Sequence, residues 1–389
     1  MLNVIIIFLA LSLGTAIAIP WGSVSYNLQY VQIVILIYFV LICLKKASRN
    51  QPFTMANADR RHWFLWLICF IYSLFTAGLA SQPITALSGS ISLFFVLIAV
   101  VTANHVLHDD PDIFITANRL FILSLFLQLA VNMFQISQTH GLSLYVLKSY
   151  SNTAIGNSNT ISFYFTFAML FELIAREKKW ILFTLMSAVG VVYTISRGAI
   201  VTIIICVIVL LLINPRLKGN QKKKLVLSVL FVFTVIVAFL LFTVPGQVFL
   251  KNTENLLHSS AVSSRLYLWR DSIQQTLDNP LGNGIIWRND PHNTILRAFK
   301  DLGIFIGPIF IFLVIYPFLL ALKKGLKKLN QKALAVLIGY LSVFVHSMID
   351  VFYISTTHLI YIVFIMTYFY YIIEHRPERL VEKTANEYE

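Results

Sequence analysis

Five arginines, a histidine and five carboxylates are the side chains of this sequence whose types and placing could act together. They are Arg197, Arg265, Arg270, Arg288 and Arg297, then His292, then Glu254, Asp271, Asp278, Asp290 and Asp301. Guanidinium is a permanent cation whose planar fork matches an oxyanion, and imidazole titrates near neutrality. Arg197 stands out first, because it is the one charged residue between 180 and 213. Two carboxylates are what glycoside hydrolysis requires, but no spacing among the five singles out a pair.

What positions these residues follows from composition. The chain has 389 residues, 58% hydrophobic and only 12% charged, against roughly 25% charged in an average globular domain. Apolar runs recur at the length that crosses a bilayer, about 20 residues, which predicts an all-α polytopic membrane helix bundle forming a single transmembrane domain. Twelve spans are expected, near 2–19, 28–44, 62–80, 84–103, 116–136, 158–175, 180–195, 198–213, 225–243, 303–322, 332–350 and 353–373. Ala16-Ile17-Ala18 resembles a signal-peptidase site, but no basic residue precedes the apolar run, so an uncleaved first span is expected. Cytoplasmic loops retain Lys and Arg. With the N-terminus inside, 22 of the 30 basic residues fall in inner segments, and both termini lie inside. The net charge of +13 is thereby accounted for by membrane insertion, and a nucleic-acid partner is excluded. The acidic inner loop at 104–114 weakens this pattern only locally, since acidic residues contribute little to orientation. Cys43, Cys69 and Cys206 lie singly in apolar runs and read as small buried side chains.

The eight remaining basic residues are Lys148, Arg197, Lys251, Arg265, Arg270, Arg288, Arg297 and Lys300. Most fall in the segment 244–302, the longest outer loop. Ser196-Arg197-Gly198 is the tip of a helical hairpin almost without a loop. An arginine there either snorkels to headgroups or faces a polar cavity, and Gly198 permits a tight turn or a close approach. Leu266, Trp269, Ile273 and Leu277 recur at helical spacing, predicting an amphipathic helix over 263–280 along the outer surface, capped by Ser263 or Ser264 and ended by Asn279-Pro280. Arg265 and Trp269, four apart, are neighbours on that helix, either as a pair with a task or as a solvated cation beside a packing ring. Gly282-Asn283-Gly284 predicts a turn. Pro291-His292-Asn293 starts a short helix through Leu296, Phe299 and Leu302. His346 and Asp350 share a helix face, where they line a cavity or join in a buried hydrogen bond.

These motifs together resemble the O-antigen ligase and repeat-unit polymerase superfamily. The resemblance rests on Ser196-Arg197-Gly198-Ala199 at the hairpin tip and on Arg265 followed by Trp269. It rests also on His292-Asn293 with Leu296, Asp301 and Gly303, and on Gly156-Asn157-Ser158-Asn159, covering about residues 150–310. It implies a membrane glycosyltransferase acting at the outer face of the bacterial cytoplasmic membrane on a polyprenyl-diphosphate-linked oligosaccharide, with no nucleotide sugar, metal or cofactor. Arg197 and Arg265 would then clamp the diphosphate and stabilise the charge growing on it as it departs. His292 would draw the proton from the acceptor hydroxyl, with Asp290 orienting or replacing it. Ser196, Asn157, Asn159, Trp269, Arg270, Asn293 and Asp301 are the accompanying substrate contacts. The expected partners are the lipid-linked donor, a glycan acceptor and membrane lipids, with a flippase and a chain-length regulator as candidate protein partners.

The leading expectation is polymerisation of preassembled repeat units into a surface polysaccharide such as O-antigen, capsule or exopolysaccharide. The alternative is a ligase passing the glycan to lipid A core or another acceptor. A polysaccharide or lipid transporter is the reading from another class. It is disfavoured because transporters carry polar sites at the midplane, whereas here the polar chemistry gathers at one face.

Overall fold

The computed structural model describes residues 2–21, 24–52, 54–139, 150, 152–194, 196–213, 260–286, 290–349 and 355–375. Among these are twelve helices and two short antiparallel strand pairs. In chain order they are α1 (Leu2–Leu13), β1 (Thr15–Trp21), β2 (Val24–Gln29), α2 (Tyr30–Ser48), α3 (Asn57–Leu79), α4 (Pro83–Asp109) and α5 (Ile113–Thr139). Then follow β3 (Asn152–Thr153), β4 (Gly156–Asn157), α6 (Ser158–Ala175), α7 (Trp180–Thr194) and α8 (Arg197–Ile213). The last are α9 (Ser260–Asp278), α10 (Thr294–Lys324), α11 (Gln331–Ser347) and α12 (Thr356–His375).

Seven of these helices, α2 to α6, α10 and α12, are long and apolar enough to cross a membrane, and α1, α7, α8 and α11 are shorter apolar helices. The chain is an all-α polytopic membrane protein. Eleven of the twelve expected spans hold a helix, and the ninth, 225–243, lies outside the described residues.

The first span is corrected. Residues 2–19 do not form one helix: α1 has 12 residues, a rise of about 18 Å at 1.5 Å per residue. The chain then turns into β1, paired with β2 from Thr15↔Gln29 to Trp21↔Val24. The helix ends because Gly14 takes φ +74°, a left-handed conformation open to glycine. A β-carbon on Gly14 would lie 2.1 Å from the carbonyl oxygen of Ala154, so nothing larger fits. Thr15, Ile17 and Ile19 then alternate as a strand requires, and Pro20 forbids a helix interior.

Small residues set the helix contacts, as expected where lipid leaves little hydrophobic drive between helices. Phe165 and Phe167 of α6 rest in notches at Gly190 of α7 and Gly339 of α11, where a β-carbon would lie 2.6 Å and 2.8 Å from the rings. In α7 the buried residues are Ser187, Gly190, Val191 and Thr194. In α8 they are Ala199, Thr202, Cys206 and Leu210, one narrow stripe. By contrast, α12 is apolar on all sides and almost wholly enclosed, which is how a helix hydrophobic all round is accommodated.

The helix ends sort into two layers. At one, Arg119 grips Glu172 with a two-bond fork, 2.6 and 2.7 Å. There too Lys332 reaches Asp112 and Glu177 at 3.1 and 2.8 Å, and the Ala58 N–H donates to Glu374. These are the ends that basic residues assigned to the inside. The opposite layer gathers the starts of α6, α8, α10 and α12 with the ends of α3, α7 and α11, and it carries the candidate site.

Candidate functional site

At this second layer each candidate is first of all held by a helix terminus. Asn157 caps α6, its side-chain oxygen accepting from the N–H groups of Asn159 and Thr160 at 3.1 and 3.2 Å. Ser196 is buried and caps α8, accepting from the Ala199 N–H at 3.4 Å. Asn293 caps α10, accepting from Ile295 and Leu296 at 3.0 and 3.1 Å. A capping side chain meets donors that the first helical turn leaves unpaired. Family-like asparagines and serine thus serve as caps here, each orienting a positive helix end.

Arg197 is the first residue of α8 and is exposed. A cation at a helix N-terminus adds to the partial positive charge there instead of offsetting it. The two together make a place for an anion. Beneath it, Gly198 lies against α11: a β-carbon would sit 3.1 Å from Nε2 of His346. Asn293 reaches the same end of α11 from the other side, its amide donating to the Met348 carbonyl at 3.1 Å. The α7–α8 tip and the His292 turn therefore flank one end of α11. Asp350 lies outside the described residues, so its expected pairing with His346 does too.

The expected amphipathic helix is α9, beginning three residues earlier than anticipated. Its apolar stripe does not turn inward: Leu266, Ile273 and Leu277 are 57%, 50% and 70% exposed. The helix meets α10 by another face, which buries Ser272, and presents the stripe outward as an interfacial helix does. Trp269 is the link to the site, its indole N–H donating to the Pro291 carbonyl at 2.8 Å. Arg265 stands one turn earlier on the same helix, about 5–6 Å from Trp269 between β-carbons. It is half-buried, and Arg270 is exposed.

The expected short helix is the first part of α10, broken at Gly303, where φ is +72° and ψ −177°. The turn Leu281–Gly284 plugs that break. Asn283 and Gly284 N–H groups donate to the carbonyls of Lys300 and Asp301 at 3.0 and 3.1 Å, and Ile304 N–H donates back to Pro280 at 2.9 Å. The fit requires glycine: a β-carbon on Gly303 would lie 2.4 Å from the Pro280 carbonyl oxygen, and one on Gly282 2.6 Å from that of Asp301.

Sequence reasoning missed what lies under the His292 turn. Arg297, counted only as an outer cation, is 1% exposed. Its Nε donates to Asp301 Oδ2 at 2.5 Å, its Nη2 to the Ile286 carbonyl, and its Nη1 faces Asp290 Oδ2 at 3.3 Å. Asp290 in turn accepts the His292 N–H at 2.8 Å through Oδ1. Asp301 is buried at 2% exposure and engaged by Arg297. The signal was present: Arg297 and Asp301 are four apart on a helix, the spacing of a pair. Arg288, Glu254, Lys148 and Lys251 lie outside the described residues.

A separate shallow cavity of about 590 Å³ opens between the end of α1, the later half of α5 and β3. Two of its amides are engaged by backbone: Gln128 accepts from Ala154 N–H and Asn132 from Asn152 N–H. It is lined by none of the candidate residues.

No curated protein matches the chain. A family model described as O-antigen ligase matches residues 182–312, from early α7 through the break in α10. This stretch holds Ser196, Arg197, Arg265, Trp269, Arg270, His292, Asn293 and Asp301, and it leaves Asn157 and Asn159 outside. Over that third of the chain the match supports a likeness to O-antigen ligases and repeat-unit polymerases, and with it a membrane function of ligase or polymerase type.

Proposed function

We propose that the chain is a glycosyltransferase that joins preassembled oligosaccharide repeat units, carried on a polyprenyl diphosphate, into a surface polysaccharide. The observation carrying this reading is the pairing of two unlike groups at one end of α11. Arg197 stands at the positive end of α8 with Gly198 against His346, and the His292 turn is tied to Met348 through Asn293. Arg197, with Arg265 brought in beside Pro291 by way of Trp269, grips the diphosphate and stabilises the negative charge it gains as the glycosidic oxygen leaves. His292 takes the proton of the acceptor hydroxyl, which attacks the anomeric carbon of the donor. The new glycosidic bond forms as the bond to the diphosphate breaks. The protein lies in the bacterial cytoplasmic membrane with both termini inside and the site outside, and neither metal nor cofactor takes part.

Alanine replacement of Arg197, Arg265 or His292, at unchanged membrane level, is expected to cut polymer formation by about 100-fold or more each, the scale of removing one transition-state donor. The readout is the surface polymer on a gel. Full-length polymer from all three variants rejects the reading. Collapse to single attached repeat units supports polymerase, and loss of all attached glycan supports ligase.

A further inference from the structure

We infer that Arg297 is a positioning residue for His292, acting through Asp290; this rests on the reading of His292 as the base. His292 takes φ +50°, a left-handed conformation that non-glycine residues seldom adopt. Its neighbours hold it there. Asp290 Oδ1 accepts the His292 N–H, and the Asn293 side chain fixes the next residue between the α10 N-terminus and Met348. Asp290 is itself fixed by Arg297 through its other oxygen. A guanidinium suits this because three directions must be met at once: Asp301 through Nε, Ile286 through Nη2 and Asp290 through Nη1. The point charge of a lysine cannot meet them together.

Two alternatives fail on the same geometry. As a ligand for the anionic donor, Arg297 is too enclosed at 1% exposure, and all three of its nitrogens face protein oxygens. As a source of attractive field it is cancelled. Arg297 and the buried Lys300 lie within reach of Asp290 and Asp301, and Lys300 also of Asp271, so two positive charges are more than offset by three carboxylates. What remains for the network is geometry: it sets the direction in which the His292 side chain leaves the backbone.

The test uses full-length protein in detergent with lipid-linked oligosaccharide extracted from cells lacking this chain. Steady-state kinetics are compared for wild type, Arg297→Lys, Asp290→Asn, Asp290→Ala and His292→Gln. Arg297→Lys is expected to lower kcat about 10- to 100-fold, the usual effect of losing an orienting partner, with KM within about 2-fold of wild type. Asp290→Asn, which keeps an acceptor for the His292 N–H, is expected to retain several-fold more kcat than Asp290→Ala. Wild-type kcat in Arg297→Lys, or equal rates for the two Asp290 variants, overturns the inference. If Arg297→Lys does not reach the membrane, the Asp290 pair decides alone, since that side chain is 22% exposed and outside the helices. Full kcat in His292→Gln overturns instead the reading of His292 as base.

Discussion

Gly198 and His346 are packed so closely that a β-carbon on the glycine would lie 3.1 Å from Nε2 of the imidazole. His346 is buried at 1% exposure, which restricts its retreat. Gly198→Ala should therefore shift the α8 tip by a few tenths of an ångström and shorten the polymer modestly. Gly198→Leu should displace Arg197 and abolish long chains. Gel analysis of surface polymer at matched membrane levels checks this, and a wild-type ladder from Gly198→Leu would mean that the approach has no bearing on activity.

Gly303 tests the plugged break in α10. Gly303→Ala forces a left-handed residue with a side chain against Pro280, costing about 1–3 kcal/mol in backbone strain alone. Thermal unfolding in detergent should show a lowered midpoint. A midpoint equal to wild type would deny that Leu281–Gly284 is seated in the break.

At the opposite layer, Glu172 is 1% exposed and held by Arg119. Removing one partner of a buried pair costs about 3–5 kcal/mol. Glu172→Ala should lower the amount of protein in the membrane while the remaining protein keeps its specific activity. Loss of specific activity at normal abundance would place the pair in the chemistry.

Asn157 separates capping from substrate contact. As a cap alone, Asn157→Ala should cost about 1 kcal/mol of stability, and Asn157→Ser should restore it with activity intact. If Asn157→Ser folds normally but polymer is still lost, the amide has a second role toward the glycan.

Sidedness can be read by single-cysteine labelling in a background lacking Cys43, Cys69 and Cys206. Ser260→Cys should react with an impermeant maleimide on intact cells, and Leu326→Cys only after permeabilisation. The reverse pattern overturns the orientation.

Much of this architecture was legible because lipid enforces it. Spans such as Ser158–Ala175 and Arg197–Ile213 were bounded within a residue, since a capping Asn or Ser and a long apolar run coincide there. The β1–β2 hairpin was not legible. Residues 2–19 are uniformly apolar, so a strand and a helix give the same hydropathy, and the contact that ends α1 comes from Ala154, far along the chain. The outward-facing stripe of α9 was located but read without its direction. Periodicity shows that Leu266, Ile273 and Leu277 share a face, not whether protein or lipid covers it. In the site, single residues are legible by their chemistry, whereas the Asp290–Arg297–Asp301 chain is not, because neither membrane side nor residue type shows that Arg297 is buried among carboxylates.

The narrow stripe by which α8 is held has a consequence for traffic. Ile200, Val201, Ile205, Ile208 and Leu212 are 37–75% exposed, so among the described residues the flank below Arg197 is an uncovered apolar surface along its length. On the proposed function, a reactant anchored by an isoprenoid tail would slide sideways through the leaflet along this flank to the guanidinium, while the sugar would arrive from water above. Two phases would then meet at one side chain.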